Sequence, residues 1–269
     1  MIRARKRFGQ HFLEPVWVEK VIKAIDPRPD QDFLEIGPGP GALTRPLAAR
    51  ARSVTAFEID RDLAAALVDE AIPNLTVVQG DFLEVTDPTS PDSLAPSPRR
   101  VAGNLPYNVA SPIMFKLVEL HTAGVPLLDA TLMLQREVAD RLVAPPGSKE
   151  YGVLSILIGH AADVETILKL PAGAFRPPPK VLSSLVRLRF RAPDPPVRDL
   201  AMFGRIVQAV FTRRRKTMAN ALLALDEGVA PRLRPSEALT AADLDGSRRP
   251  ETVSIAEFAR LADIYVPPE

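Results

Sequence analysis

The chain predicts an α/β protein: a mostly parallel sheet with helices on both faces, followed by a smaller helical region. Three observations carry this. Short apolar runs alternate with amphipathic stretches across residues 32–143, the pattern of strand–helix–strand units. The first run, DFLEI, ends directly in glycines, as a buried strand feeding a tight turn does. Beyond the proline-rich break at residues 192–196 the strand-like runs stop and helical spacing takes over.

Element by element, 32–36 is the first strand, and 41–50 is helical in composition, with Pro46 moving its start. Residues 53–58 (SVTAFE) form the next strand. Residues 61–71 form an amphipathic helix with Asp60 as N-cap, and 75–79 (LTVVQ) a third strand. The short run 101–103 falls where a fourth strand belongs. Helix 111–121 carries Pro112 in its first turn, strand 130–134 follows, then helix 137–143. Residues 87–98 (DPTSPDSLAPSP) are a surface loop, and 185–190 is strand-like. Helices are expected at 200–210, 216–225, 235–241 and 255–264. The expected division is one domain over 1–193 and a helical one over 194–269.

Composition narrows the function classes. With 46% hydrophobic and 25% charged residues in 269, the chain is globular, not disordered or coiled-coil. No apolar run approaches the ~18 residues that span a bilayer, and no apolar stretch follows the basic start, so no membrane association and a cytoplasmic location are expected. Cysteine is absent, which excludes disulfides, a thiolate nucleophile and Cys-based zinc sites. His11, His121 and His160 lie far apart, so no metal is expected. The net charge is only +1, but its distribution is uneven. Three acid-free stretches, 1–13, 171–193 and 200–225, hold 14 of the 34 Lys and Arg residues, so the rest of the chain is acidic. If the stretches converge, they make a basic face for a polyanion; if not, they are separate solvated surfaces.

Two features point to a nucleoside ligand. Gly37, Gly39 and Gly41 lie between the first strand and first helix, where glycine lets a ligand approach the backbone. Their spacing is G-x-G-x-G, and Pro38 and Pro40 remove two amide donors that a pyrophosphate would want. Glu58, at the end of the second strand, is placed to accept hydrogen bonds from both ribose hydroxyls. After the third strand, Asp81 can accept from an exocyclic amine while Phe82 covers a ring. Alone, each feature has a plainer reading as a turn or a solvated strand-end acid. Asn104-Leu105-Pro106-Tyr107 follows the fourth strand and matches the motif type of methyltransferases acting on conjugated amino groups.

Five stretches, in order, carry a resemblance: Arg5-Lys6-Arg7-Phe8-Gly9-Gln10-His11-Phe12-Leu13, the loop 35–41, Asn104 to Asn108, Phe175-Arg176-Pro177-Pro178-Pro179-Lys180-Val181-Leu182-Ser183-Ser184, and Arg213-Arg214-Arg215-Lys216-Thr217. Together they resemble the ribosomal RNA adenine N6-dimethyltransferase family in its bacterial KsgA form. The resemblance implies a Rossmann-like class I methyltransferase fold using S-adenosylmethionine, held by Gln10, His11, Leu13, Gly37, Gly39, Glu58, Ile59, Asp81, Phe82 and Asn104. It implies that Asn104, Leu105, Pro106 and Tyr107 carry catalysis. The substrate would be two adjacent adenosines in the hairpin loop near the 3′ end of small-subunit ribosomal RNA, within a pre-30S particle, contacted by a monomer. Tyr107 and Phe175 would stack on the flipped base, and Arg5, Lys6, Arg7, Lys180, Arg213, Arg214, Arg215 and Lys216 would contact RNA. Arg213–Lys216 could instead cap a helix end or pair with acids. The chain departs from the family at His11, where Asn is more usual.

The chemistry suits the bend. The adenine N6 lone pair is delocalised, so the amine is a poor nucleophile. The Asn104 side-chain carbonyl and the Leu105 backbone carbonyl can accept both N6 hydrogens and let the nitrogen pyramidalise toward the methyl group. Three other readings stay open at this stage: the large-subunit methyltransferase that confers macrolide resistance, a non-catalytic assembly or transcription factor on the same fold, and, more distantly, a DNA adenine methyltransferase.

Overall fold

The computed structural model describes residues 12–85, 99–225 and 234–266. The arm residues Arg5, Lys6, Arg7, Gln10 and His11, and the loop 87–98, lie outside the described residues. The chain divides into two compact units, one of residues 1–139 and 163–190, the other of 140–162 and 191–269.

The first unit is built on a seven-stranded sheet. Strands β2 (Asp32–Ile36), β3 (Ser53–Glu58), β4 (Leu75–Gln79), β5 (Arg99–Asn104) and β6 (Leu127–Gln135) run parallel, and β9 (Ser183–Phe190) is antiparallel to β6. With β7 (Ala162–Leu170) at the edge, the order is β4-β3-β2-β5-β6-β9-β7. The chain moves from β2 outward to β4 and then returns to β5 on the other side of β2. Such a reversal opens a crevice at the carboxyl ends of the strands, where open α/β sheets bind ligands. Strand β1 (Phe12–Leu13) pairs separately with β8 (Phe175–Arg176).

Strand β2 is buried along its whole length, which explains its continuous apolar reading. Helix α1 (Pro15–Ile25) presents Val21, Ile22 and Ile25 to the core. Its C-terminal carbonyls are held by two arginines, Arg100 buried and Arg187 partly so: Arg100 Nη2 donates to Ile25 O at 2.9 Å and Arg187 Nη2 to Ala24 O at 2.5 Å. Asp60 caps α3 (Arg61–Asp69) as expected, accepting from Asp62 N at 3.1 Å. Helix α2 is only Thr44–Ala48, shorter than the expected 41–50, because the glycine loop keeps residues 37–41 out of helical geometry. Helix α4 (Ala110–Thr122) matches its expectation within a residue. Gly103 has no room for a side chain: a Cβ there would sit 2.9 Å from the Ile36 carbonyl oxygen, so glycine sets the close approach of β5 to β2 just before Asn104.

In the second unit, α6 (Val153–Gly159), α7 (Leu200–Thr212), α8 (Met218–Ala221), α9 (Pro235–Ala241) and α10 (Ile255–Tyr265) enclose a core containing Tyr151, Ile156, Phe203 and Phe258. This differs from a single cut at 194. Residues 140–162 join the helical tail because Tyr151 and Ile156 bury in its core, and the Tyr151 hydroxyl donates to Val253 O at 2.9 Å. The sequence-based elements contain no counterpart of α1, α6 or β7. Helix α5 (Arg136–Leu142) carries the chain from one unit toward the other. Among the described residues, no helix is long and apolar enough to cross a membrane.

Candidate active site

A cavity of about 260 Å³ opens at the carboxyl ends of β2, β3, β4 and β5. It gathers, from five separate segments, eleven residues that the sequence singled out: Leu13, Gly37, Gly39, Glu58, Ile59, Asp81, Phe82, Asn104, Leu105, Pro106 and Tyr107.

The glycine loop is organised from within. Gly37, Gly39 and Gly41 have φ of 69°, 57° and 82°, conformations open to glycine at little cost. At Gly41 a Cβ would also lie 2.7 Å from Leu67 Cδ2. The three glycine amides are already engaged: Gly37 N donates to Phe57 O at 2.9 Å, Gly39 N to Glu58 Oε2 at 2.9 Å and Gly41 N to Pro38 O at 3.0 Å. With Pro38 and Pro40 lacking amide hydrogens, the loop offers no cradle of free donors for a phosphate, consistent with its G-x-G-x-G spacing.

Glu58 is both strut and ligand candidate. Its Oε1 accepts from Asp60 N at 2.8 Å while Oε2 takes the Gly39 amide. The carboxylate is 4% exposed, so burial raises its pKa, and these amide donors pull it back down. The Ile59 amide bears on the carboxylate as well, and Glu58 still lines the cavity, where a carboxylate can accept more than one further hydrogen bond. Asp81 Oδ1 accepts from Leu83 N at 2.9 Å, fixing the turn that brings Phe82 under the cavity. The Phe82 ring packs edge-on against Phe57 at 5.5 Å. Ile59, 49% exposed, stands at the rim.

The Asn104 bend is equally anchored. Leu105 is 1% exposed and its amide donates to Met133 O at 3.3 Å; its carbonyl takes no backbone amide among the described residues. Val109 N closes the turn onto Pro106 O at 3.1 Å. Tyr107 is half-buried, with its hydroxyl 2.9 Å from Ser183 Oγ on β9. Burial raises the Tyr107 pKa and the Ser183 contact lowers it in part, so the phenol stays neutral and the ring is held as a fixed wall. Ser183 is a positioning residue that sequence reasoning missed; a serine in a proline-rich run gives no signal of its own.

Glu35 was also missed as a site residue in its own right. It lines the cavity yet is 1% exposed, and its Oε2 has no hydrogen-bond partner among the described residues. Burial, chiefly, and the neighbouring Glu58 push its pKa up to about 7, against the opposing pull of Thr44 and Arg45. A carboxyl between Leu34 and Ile36 in a short buried strand was the available signal. Because the folded protein holds this proton more tightly than the unfolded chain, stability present below pH 4.5 is lost as pH rises toward 7. Glu35→Gln is therefore expected to match the wild type near pH 4 and, by pH 8, to exceed it by up to about 3 kcal/mol, the raised pKa converted at 1.36 kcal/mol per unit. Denaturant melts of the ligand-free protein at the two pH values measure this; parallel pH profiles for the two proteins would contradict it.

The structure differs from the sequence reading elsewhere. Phe175, expected to stack on a base, is 2% exposed and packs in the core with Leu13, Leu170 and Leu185. Its pairing opposite Leu13 turns the ring inward while Arg176, next along the strand, faces out. The basic stretch 171–193 is largely spent on the fold. Arg176 pairs with Glu14, Arg189 with Glu165 at 2.7 Å, Arg187 holds α1, and Arg191 Nη2 donates to Gly159 O at 2.8 Å. Lys180 alone of that stretch is exposed without a partner among the described residues. In the second unit, Arg214 is half-buried, donates to Lys149 O at 2.6 Å and lies 3.8 Å from Glu251. These contacts tie part of its side chain to the fold. Arg213 touches Asn220 O at 3.4 Å, while Arg215 and Lys216 are exposed with no side-chain partner among the described residues.

A parallel sheet with its glycine loop, strand-end acid and Asn-x-Pro-Tyr bend around one crevice is the arrangement of the class I methyltransferases. The family model described as ribosomal RNA adenine dimethylase matches residues 1–264, and the chain belongs to that family. The protein called ribosomal RNA small subunit methyltransferase A in Acinetobacter baylyi is 42% identical over 270 residues, 98% of this chain and 93% of that one. Its namesake in Xanthomonas campestris is 42% identical over 265 residues, 97% and 96% of the two chains. Among solved structures, a dimethyladenosine transferase from Plasmodium falciparum superimposes with TM-score 0.74 at 25% identity, covering 93% of this chain and 96% of that one. The 23S rRNA methyltransferase ErmE does so with TM-score 0.64 at 30% identity, covering 94% and 98%.

Proposed function

We propose that the chain is an enzyme that transfers methyl groups from S-adenosylmethionine to N6 of adenosines in small-subunit ribosomal RNA, making dimethyladenosine at the two adjacent adenosines of its 3′-terminal hairpin loop. The single observation that carries this is the Asn104–Tyr107 bend, opening onto the same cavity as the glycine loop and Glu58. The relatives named for the small subunit, at 42% identity against 30% for the large-subunit enzyme ErmE, favour the small-subunit substrate.

The cavity suits the cofactor: the loop has no spare donors for a phosphate, Glu58 faces it as a ribose acceptor, and Glu35 offers a buried carboxyl toward a cationic group. When bound, S-adenosylmethionine supplies an electrophilic methyl carried on sulfur. Glu58 would hold its ribose, Asp81 and Phe82 its adenine, Ile59 would cover the rim, and Leu13, with the arm residues Gln10 and His11, would contact the methionine end. The Asn104 side-chain carbonyl and the Leu105 carbonyl accept the two hydrogens of the target N6, and Tyr107 stacks on the extruded base. Pro106 fixes the turn. No strong base is needed before transfer, because the amine becomes cationic and loses its proton afterwards; positioning and electrostatics carry the rate. Lys180, the arm residues Arg5–Arg7, and Arg213, Arg215 and Lys216 of the second unit contact RNA phosphates. The protein works as a cytoplasmic monomer on an immature small subunit.

Mass spectrometry of small- and large-subunit ribosomal RNA, after incubation with purified protein and labelled cofactor, is expected to find dimethyladenosine in the small-subunit RNA alone. Label in the large-subunit RNA alone would refute the substrate. Charge reversal at Arg215 and Lys216 is expected to weaken RNA binding and to lessen the slope of log affinity against log salt by about one to two. An unchanged slope would remove those two residues from the interface. Arg214 is left out of this test because its reversal would disturb the 148–149 loop and Glu251.

A further inference from the structure

We propose that residues 177–182 form a rigid apolar wedge, with Val181 and Leu182 taking the stacking position that the target adenosine vacates when it turns out of its RNA. This rests on the adenosine reading above and adds a residue-level account of how the base is drawn from its stack.

Among the described residues, Val181 and Leu182, at 42% and 45% exposure, are the only consecutive pair of large apolar side chains left in solvent. Pro177 and Pro178, just before them, are exposed as well, and Pro179 is buried and anchors the run. Both ends of the segment are tied to walls of the cavity. At one end Arg176 is paired with Phe12, which lines the cavity. At the other, Leu182 O accepts from Arg136 N at 2.9 Å, and the next residue, Ser183, meets the Tyr107 hydroxyl at 2.9 Å. The segment therefore runs between two residues joined to the cavity lining, Arg176 at Phe12 and Ser183 at Tyr107. Three successive prolines restrict its backbone, so it keeps its shape without a partner. A fixed apolar ridge in water marks a contact surface.

The occupant follows from charge and chemistry. Lys180, exposed in the middle of the ridge with no partner among the described residues, suits a phosphate and so a nucleic acid strand. An adenosine stacked in a loop must lose that stacking to enter the cavity, and proteins that unstack bases insert apolar side chains into the gap. Leu182 directly precedes Ser183, whose hydroxyl meets that of Tyr107, the ring on which the extruded base would lie.

The test compares the wild type with a Val181→Ser/Leu182→Ser double variant and with Leu182→Met. Two RNAs serve as substrates: the structured hairpin, and the same hairpin with abasic nucleotides flanking the target. In a third RNA, 2-aminopurine replaces the target adenosine and brightens when it is unstacked. The double variant is expected to bind S-adenosylmethionine like the wild type, to lose the 2-aminopurine brightening, and to fall by about tenfold or more in kcat/KM on the structured hairpin, a stacked base being worth that much. On the abasic RNA it is expected to match the wild type, since no neighbouring stack remains to be opened. Leu182→Met, which keeps an apolar side chain of like volume, is expected to behave as wild type on both. Retained brightening and hairpin rate in the double variant would overturn the wedge and leave the ridge to a protein partner. An equal loss on both RNAs would overturn it in favour of a structural role. No transfer by the wild type to either RNA would overturn the adenosine reading, and the wedge with it.

Discussion

Asn104→Ala is expected to lower methyl transfer by roughly 10²–10³-fold while leaving cofactor affinity near that of the wild type. The Asn104 side chain ends β5 and opens onto the cavity, but the glycine loop is held by Glu58 and by its own backbone bonds, not by Asn104. Truncation removes one of the two acceptors for the N6 hydrogens, and with it the means of turning a conjugated nitrogen into a directed nucleophile. Leu105, still buried and bonded through its amide to Met133, should keep the bend in place. Single-turnover transfer and calorimetric cofactor binding separate the two effects. Transfer close to normal would remove Asn104 from the chemistry.

Glu58→Gln is expected to act on the opposite half of the site, weakening cofactor binding by roughly ten- to a hundredfold, the worth of a hydrogen bond to a charged group. Both carboxylate oxygens accept backbone amides, from Gly39 and from Asp60. A glutamine amide has one accepting end and one donating end, so one of those N–H groups must face another donor. The loop loses a tether, and the ribose loses an acceptor. The same calorimetry measures it, and an unaltered dissociation constant would mean that Glu58 braces the loop without touching the ligand.

The two halves of this site were not equally legible. Strands β2, β3 and β4 announced themselves because short apolar runs bounded by turns are the signature of parallel strands, although only β2 is buried throughout and β4 lies at the sheet edge, and both Asp60 and Glu58 sit where strand-end logic puts them. Helix α9 also fell where its spacing placed it. Strand β7 did not, because an edge strand with Asp163, Glu165 and Lys169 among its apolar residues lacks that continuous run. The split in the helical unit was hidden for a different reason. Only the burial of Tyr151 and Ile156 against residues far along the chain shows that 140–162 belongs there. The motif that suggests a stacking role for Phe175 carries no sign that pairing with Leu13 sets its ring among core residues. Basic residues were the least legible, since a guanidinium that holds a helix end, as Arg187 and Arg191 do, reads in sequence like one that waits for a phosphate.

A structure of the protein with a cofactor analogue and an adenosine-containing RNA loop tests the central claim most directly. The target N6 is expected within hydrogen-bonding distance, about 2.7–3.2 Å, of both Asn104 Oδ1 and the Leu105 carbonyl oxygen, with the Tyr107 ring against the base. An adenine seated elsewhere, or an Asn104 amide turned away from it, would contradict the account.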